Sequence, residues 1–296
     1  MDTADIKKLA AEKTPNVKIK IKKDFYRHNV IDSLVGTDNV GIELGVAGGD
    51  FSKRMVDSGK FKIFYGVDLY SDHHNTDEYK RALKFVGIER NYRLLRMSFD
   101  EALALFDDDY FDFIYFDGYA HTGEDGGKTF VDWYPKVKIG GVIAGDDYHD
   151  DWPLVKWAVN TFAKTLDLEL SVTGMTETTN LSRYPSWFFT KMRNVGLSGA
   201  LDEKLFSIGQ QEKQKSSANK KSQPDSDVTL STEQILQFCD LLCQKFPEKI
   251  PELLAIVQRN VTRRDDAGAG PDCLAFRAGP GDVGWSCGGT CPKTNS

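Results

Sequence analysis

The chain has 296 residues, 28% of them charged, and a net charge of -6, so general attraction to nucleic acid is not expected. That length suits one α/β domain of roughly 150–200 residues plus an extension. No apolar run reaches the about 18 residues of a membrane span, and Met1-Asp2-Thr3-Ala4-Asp5 lacks the apolar stretch of a secretory signal. Residues 1–35 are basic and read as helical or frayed, with 24–35 a candidate helix. Apolar runs at 40–44, 63–67, 92–96, 111–116, 141–144, 168–172 and 187–192 then read as seven strands. Between them, 51–58, 79–87, 99–105, 129–134 and 154–166 read as helices. This alternation predicts a doubly wound, mostly parallel α/β sheet. The last two strands have no long helical run between them, which suits a reversed seventh strand.

Beyond the sheet the composition changes. Residues 207–230, rich in Gln, Lys, Ser and Asp, read as a flexible linker. Residues 231–262 read as a helical hairpin that opens at Ser231-Thr232-Glu233-Gln234 and buries too little to stand alone. It is expected to dock on its own domain or on a partner. Residues 263–296, Gly- and Cys-containing and without periodicity, are expected to be disordered. A leader with a small core peptide and a metal or disulfide knot are the other readings of that tail. All five cysteines (Cys239, Cys243, Cys273, Cys287 and Cys291) lie late, so residues 1–206 form a domain without disulfides, and a cytoplasmic location is the expectation.

The most informative run is Val40-Gly41-Ile42-Glu43-Leu44-Gly45-Val46-Ala47-Gly48-Gly49-Asp50. An apolar strand ends in an acid, then a glycine-rich turn that lets backbone approach a bound nucleoside. Glu43 precedes the glycines, where it faces a cationic amino-acid tail better than a pyrophosphate. Asp68 closes the second strand, where a carboxylate accepts from ribose hydroxyls or caps a helix. After the third strand, Ser98 in Met97-Ser98-Phe99 reads as the cap of the helix that follows.

The fourth and fifth strands end in Asp117 and in Asp146-Asp147. Three close carboxylates repel unless a positive charge neutralises them. A hard cation such as Mg²⁺ with oxygen ligands does so; solvated helix caps are the other reading. His121 and His149 lie beside these acids and suit a general base, a surface residue or a ligand. His73 and His74 read as surface residues or part of a substrate-side lid.

These runs, with Asp132-Trp133-Tyr134-Pro135-Lys136 and Gly140-Gly141, resemble class I S-adenosylmethionine (SAM)-dependent methyltransferases of the metal-dependent macrocin and mycinamicin O-methyltransferase type, over residues 36–192. The resemblance implies SAM binding at Glu43, Gly45, Gly48, Gly49, Asp68, Met97, Ser98 and Asp117. It implies Mg²⁺ on Asp117, Asp146 and Asp147, and a base near the fourth strand. Relatives carry an acid or His two or three residues after the first metal Asp; here Tyr119 and Ala120 stand there and His121 follows. The expected activity is O-methylation of a small hydroxylated acceptor, with no nucleic acid or membrane partner and a homo-oligomer possible. Metal-free methylation at N or C, methylation of the chain's own tail, and an inactive SAM-fold binding module are the alternatives.

Overall fold

The computed structural model describes residues 3–71, 74–88, 90–117, 123, 125–177 and 183–222. Eight strands form one sheet: β1 (Ile19–Lys22), β2 (Asn39–Leu44), β3 (Phe61–Asp68), β4 (Tyr92–Arg96), β5 (Phe111–Phe116), β6 (Val137–Gly145), β7 (Leu170–Thr173) and β8 (Trp187–Thr190). Their spatial order is β1-β7-β8-β6-β5-β2-β3-β4. Every neighbouring pair is parallel except those of β8, which runs against both β6 and β7. From β2 the chain winds outward through β3 and β4, then returns to β5 on the other side of β2. The expected doubly wound sheet with a reversed last strand is the fold.

Period-two side-chain alternation explains why both faces are covered. In β5, Ile114 and Phe116 join one buried cluster and Phe113 and Tyr115 the other, while a register shift between Phe111 and Phe113 puts Phe111 in the first. In β6, Ile143 faces the first and Val142 and Ala144 the second. Helices α1 (Thr3–Lys13), α4 (Phe99–Leu103), α5 (Lys128–Trp133) and α6 (Pro153–Thr165) supply residues to the first cluster. Helices α2 (Asp50–Asp57) and α3 (Thr76–Val86) supply Phe51, Met55, Val56 and Val86 to the second. Gly41 is required between the layers: a Cβ there would lie 2.6 Å from the Phe61 ring and 2.7 Å from that of Phe64.

Three expectations are corrected. The sheet has eight strands, not seven, because β1 adds Ile-Lys-Ile-Lys to the β7 edge. Its period-two pattern is a strand signal, hidden by lysines and by isoleucines that are 45% and 54% exposed at that edge. The candidate helix at 24–35 is a five-residue 3-10 turn, Arg27–Ile31, pinned by Tyr26 N–H donating to Asn29 Oδ1 at 2.9 Å and by buried Val30 and Ile31. The first part of the expected linker lies in α7 (Glu203–Ser222). Gln, Lys, Glu and Ala are good helix formers even without an apolar stripe.

Contacts divide the chain into Met1–Gln214 and Lys215–Ser296. Leu205 is buried and Ile208 packs on the core of the first unit. A chain ending at Gln214 is therefore expected to melt at the same temperature as the full chain, whereas one ending at Phe206 should melt lower through loss of Ile208. Equal melting of both by circular dichroism would refute this. The expected hairpin at 231–262 and tail at 263–296 lie outside the described residues. Among the described residues, no helix is long and apolar enough to cross a membrane.

Candidate active site

Three backbone hydrogen bonds continue the strand ladders by one residue and align the site along one sheet edge. Gly45 N–H donates to Val67 O at 2.9 Å, Asp117 N–H to Leu44 O at 2.8 Å, and Asp146 N–H to Phe116 O at 3.0 Å. This edge is the carboxyl end of β2, β5 and β6, at the point where strand order reverses, and it is where open α/β sheets bind ligands.

The glycine loop leaves β2 through two left-handed glycines, Gly45 (φ 96°) and Gly49 (φ 88°), with Ala47 (φ 47°) between them. Gly49 is also where α2 approaches α3: a Cβ there would lie 3.0 Å from Val86 and 3.3 Å from the Ala82 backbone. Gly48 is buried, and a Cβ on it would meet the Arg81 guanidinium at 2.7 Å.

Asp68 holds this loop in place. Its Oδ2 accepts from Val46 N–H and Ala47 N–H, both at 2.9 Å, and its Oδ1 from Tyr70 N–H at 3.2 Å. Tyr70 in turn donates its hydroxyl to Ala47 O at 2.8 Å. The strained Ala47 peptide is thus held at both its N–H and its C=O. A carboxylate offers about four acceptor positions, so roughly one remains on Asp68.

Glu43 is buried under the loop. Ser52 Oγ donates to its Oε2 at 2.5 Å, and Arg27 Nη2 lies 4.0 Å from its Oε1. Burial pushes the Glu43 carboxyl well above the ordinary value, against the opposing pull of Arg27 and the Ser52 hydrogen bond. Ser98 is the N-cap of α4: its Oγ accepts from Glu101 N–H at 3.2 Å, while Glu101 Oε2 accepts from Ser98 N–H at 2.8 Å. Met97 is half-buried and packs on the core.

Asp117 and Asp146 come together on one cation that sequence reading missed. Arg27 Nη2 donates to Asp117 Oδ2 at 2.5 Å, and Arg27 Nη1 lies 3.2 Å from Asp146 Oδ2. The guanidinium rests 4.7 Å from the Phe51 ring centroid and 5.0 Å from that of Tyr115. Burial opposes its charge, but Asp146, Tyr115, Asp117 and Glu43 outweigh that and hold Arg27 well above its ordinary value. On the far side, Ser186 Oγ donates to Asp146 Oδ1 at 3.1 Å and sits 2.9 Å from the Tyr115 hydroxyl. A serine with one proton must then accept from Tyr115, so the chain runs from Tyr115 through Ser186 to Asp146. Arg27 had one sequence signal: neighbouring carboxylates require a counter-charge, and a basic segment lies upstream.

Asp147 follows with φ 57° in a turn closed by His149 N–H on its carbonyl at 2.8 Å. Among the described residues, no three His, Cys, Asp or Glu side chains form a set that could hold a metal ion. The Mg²⁺ site expected on Asp117, Asp146 and Asp147 does not fit this arrangement, because Arg27 already spans the first two carboxylates. His149 is half-exposed, its ring tilted against that of Tyr184 with centroids 4.8 Å apart, and it accepts from Asp151 N–H at Nδ1, 3.1 Å. His74 lies 2.6 Å from Glu78 through Nδ1. His121 and His73 lie outside the described residues.

The doubly wound, mostly parallel sheet with its last strand reversed is the fold expected of the resemblance. Residues 42–148 match the methyltransferase domain family. The match takes in the glycine loop, Asp68, Asp117 and Asp146, over about a third of the chain. No curated protein matches. Among solved structures, the O-methyltransferase NovP is 18% identical with a TM-score of 0.42, over 56% of this chain and 78% of NovP. An rRNA methylase from Streptococcus thermophilus is 14% identical with a TM-score of 0.39, over 56% of this chain and 94% of the methylase. YcgJ from Bacillus subtilis is 18% identical with a TM-score of 0.32, over 39% of this chain, which spans only 47% of YcgJ. With TM-scores below 0.5, none of these likenesses bears on activity.

Proposed function

We propose that the Met1–Gln214 unit binds S-adenosylmethionine and methylates a hydroxyl of a small acceptor, such as a sugar hydroxyl on a natural product, as the macrocin and mycinamicin enzymes do. One observation carries this reading. The left-handed loop Gly45–Gly49 and the carboxylate of Asp68 meet at the switch point of the sheet, inside the segment that matches the methyltransferase domain. The residues fit the cofactor: glycines clear the loop backbone, and Asp68 keeps an acceptor position for a ribose hydroxyl. Met97, which follows β4, is the proposed wall for the adenine. Glu43, buried with Ser52, shapes the loop from below. When bound, S-adenosylmethionine supplies an electrophilic methyl group. The chain's own task is to orient the acceptor oxygen, exclude water and take its proton. On sequence grounds His121, four residues after Asp117, is the proposed base.

Of the two chemistries open from the sequence, metal-free transfer is the better supported, because Arg27 already pairs with both Asp117 and Asp146. Calorimetry with S-adenosylmethionine and with NADH tests cofactor choice. Mass spectrometry of candidate acceptors, and of the protein itself, tests transfer through a gain of one methylene. Binding of NADH without S-adenosylmethionine would overturn the reading. Methylation of the protein alone would move the acceptor to the chain's own tail.

A further inference from the structure

We infer that Arg27 is a resident counter-ion that holds the place of a divalent cation between Asp117 and Asp146, and so positions the acceptor end of the site without a metal. The inference deepens the methyltransferase reading by naming what neutralises that site. Its test reads cation binding, so it can fail while that reading stands, and the reverse.

The argument starts from the two aspartates. They end adjacent parallel strands, β5 and β6, so the sheet forces their backbones together. Like charges so placed repel unless a cation lies between them. Mg²⁺ would need their oxygens at about 2.0–2.1 Å from one point, together with several waters. Arg27 instead sets one guanidinium nitrogen on each aspartate, at 2.5 and 3.2 Å, in a fork that suits two carboxylates from different directions.

Two features show that this is a built position and not a stray surface side chain. The Arg27 side chain is only 11% exposed and is walled by Phe51 of α2 and Tyr115 of β5. Its backbone belongs to the 3-10 turn whose Val30 and Ile31 are buried in the same cluster as Phe51 and Tyr115. The second carboxylate is also oriented by Ser186, the residue before β8, so Asp146 is held from both sides. A buried guanidinium carries its charge permanently and is more weakly hydrated than a small divalent ion. The two carboxylates therefore keep a cation between them whatever the metal concentration.

The test is Mn²⁺ binding by electron paramagnetic resonance on the full chain. Wild type should show no saturable binding below millimolar Mn²⁺. Arg27→Ala should expose the carboxylate pair and bind Mn²⁺ at least about tenfold tighter, and adding Asp117→Asn should remove that gain. Arg27→Lys, which keeps the charge, should bind as weakly as wild type. If Arg27→Ala does not fold, Arg27→Met keeps the apolar stem against Phe51 and Tyr115 while removing the charge, and should show the same gain. A folded Arg27→Ala or Arg27→Met with no gain would overturn the inference. So would a micromolar Mn²⁺ site in wild type that disappears in Asp117→Asn, a result that stands even if neither Arg27 variant folds.

Discussion

Asp68→Ala is expected to weaken S-adenosylmethionine binding by about 1–3 kcal/mol, roughly five- to 150-fold, through two losses that act together. The first is the charge-assisted acceptor proposed for the ribose. The second is internal. Val46 N–H and Ala47 N–H both lose their acceptor, and Tyr70 N–H loses one as well. With nothing on its amide, Ala47 has less to hold it at φ 47°, and the loop should relax towards ordinary backbone. Asp68→Asn separates the two losses. Its side-chain oxygen still accepts from Val46 and Ala47, but its amide nitrogen faces the Tyr70 N–H and its charge is gone. The Asn variant should keep a melting temperature closer to wild type than the Ala variant does, while binding the cofactor less tightly than wild type. Calorimetry on both proteins decides. A folded Asp68→Ala with wild-type affinity would remove Asp68 from the cofactor site.

The largest loss of stability is expected at Trp187. Its side chain is fully buried, 6.2 Å from Phe116, 5.5 Å from Phe130 and 6.2 Å from Phe189 between ring centroids. It stands on β8 opposite Gly145, where a Cβ would come within 2.6 Å of the indole, so β6 and β8 fit only with a glycine there. Trp187→Ala should cost about 3–5 kcal/mol, a large part of a typical domain's stability. The neighbouring Ser186 bridges Tyr115 to Asp146, so the cavity also lies next to the site. Trp187→Phe should cost less: it keeps a stacked ring, and among the described residues the indole Nε1 it removes has no hydrogen-bond partner to lose. Urea denaturation gives the comparison through the transition midpoint. An Ala variant with an unchanged midpoint would contradict the packing described for β8.

Much of the molecule was legible in linear order because it depends on local chemistry. Apolar runs of five or six residues ended where the strands end: β4 and β5 match their expected spans at Tyr92–Arg96 and Phe111–Phe116. The glycine loop was readable because only certain residues tolerate φ near +90°, and glycines stood where the chain needed them. Ser98 showed its capping role three residues ahead of Glu101, since a capping box is a contact within one turn. Asp68, Asp117 and Asp146 could be assigned to a single sheet edge because parallel strands share a direction.

What those acids do at the edge was decided by tertiary structure. Arg27 precedes Asp117 by 90 residues and Asp146 by more, and no spacing rule connects them. Its position follows from the packing of a short 3-10 turn against α2 and the sheet. That packing determines whether the carboxylates meet a metal or a guanidinium. Glu43 shows the same division. Its place before the glycines was evident from the sequence, but the Ser52 hydroxyl and the burial that raises its pKa arise only once α2 lies over β2. The sequence by itself determined the order of elements, the loop and the acids at the edge, because these follow from side-chain period, backbone freedom and turn chemistry within a few residues. Tertiary structure alone decided the partner of each buried charge, because a charge taken out of water is governed by whatever the fold brings within about 4 Å of it.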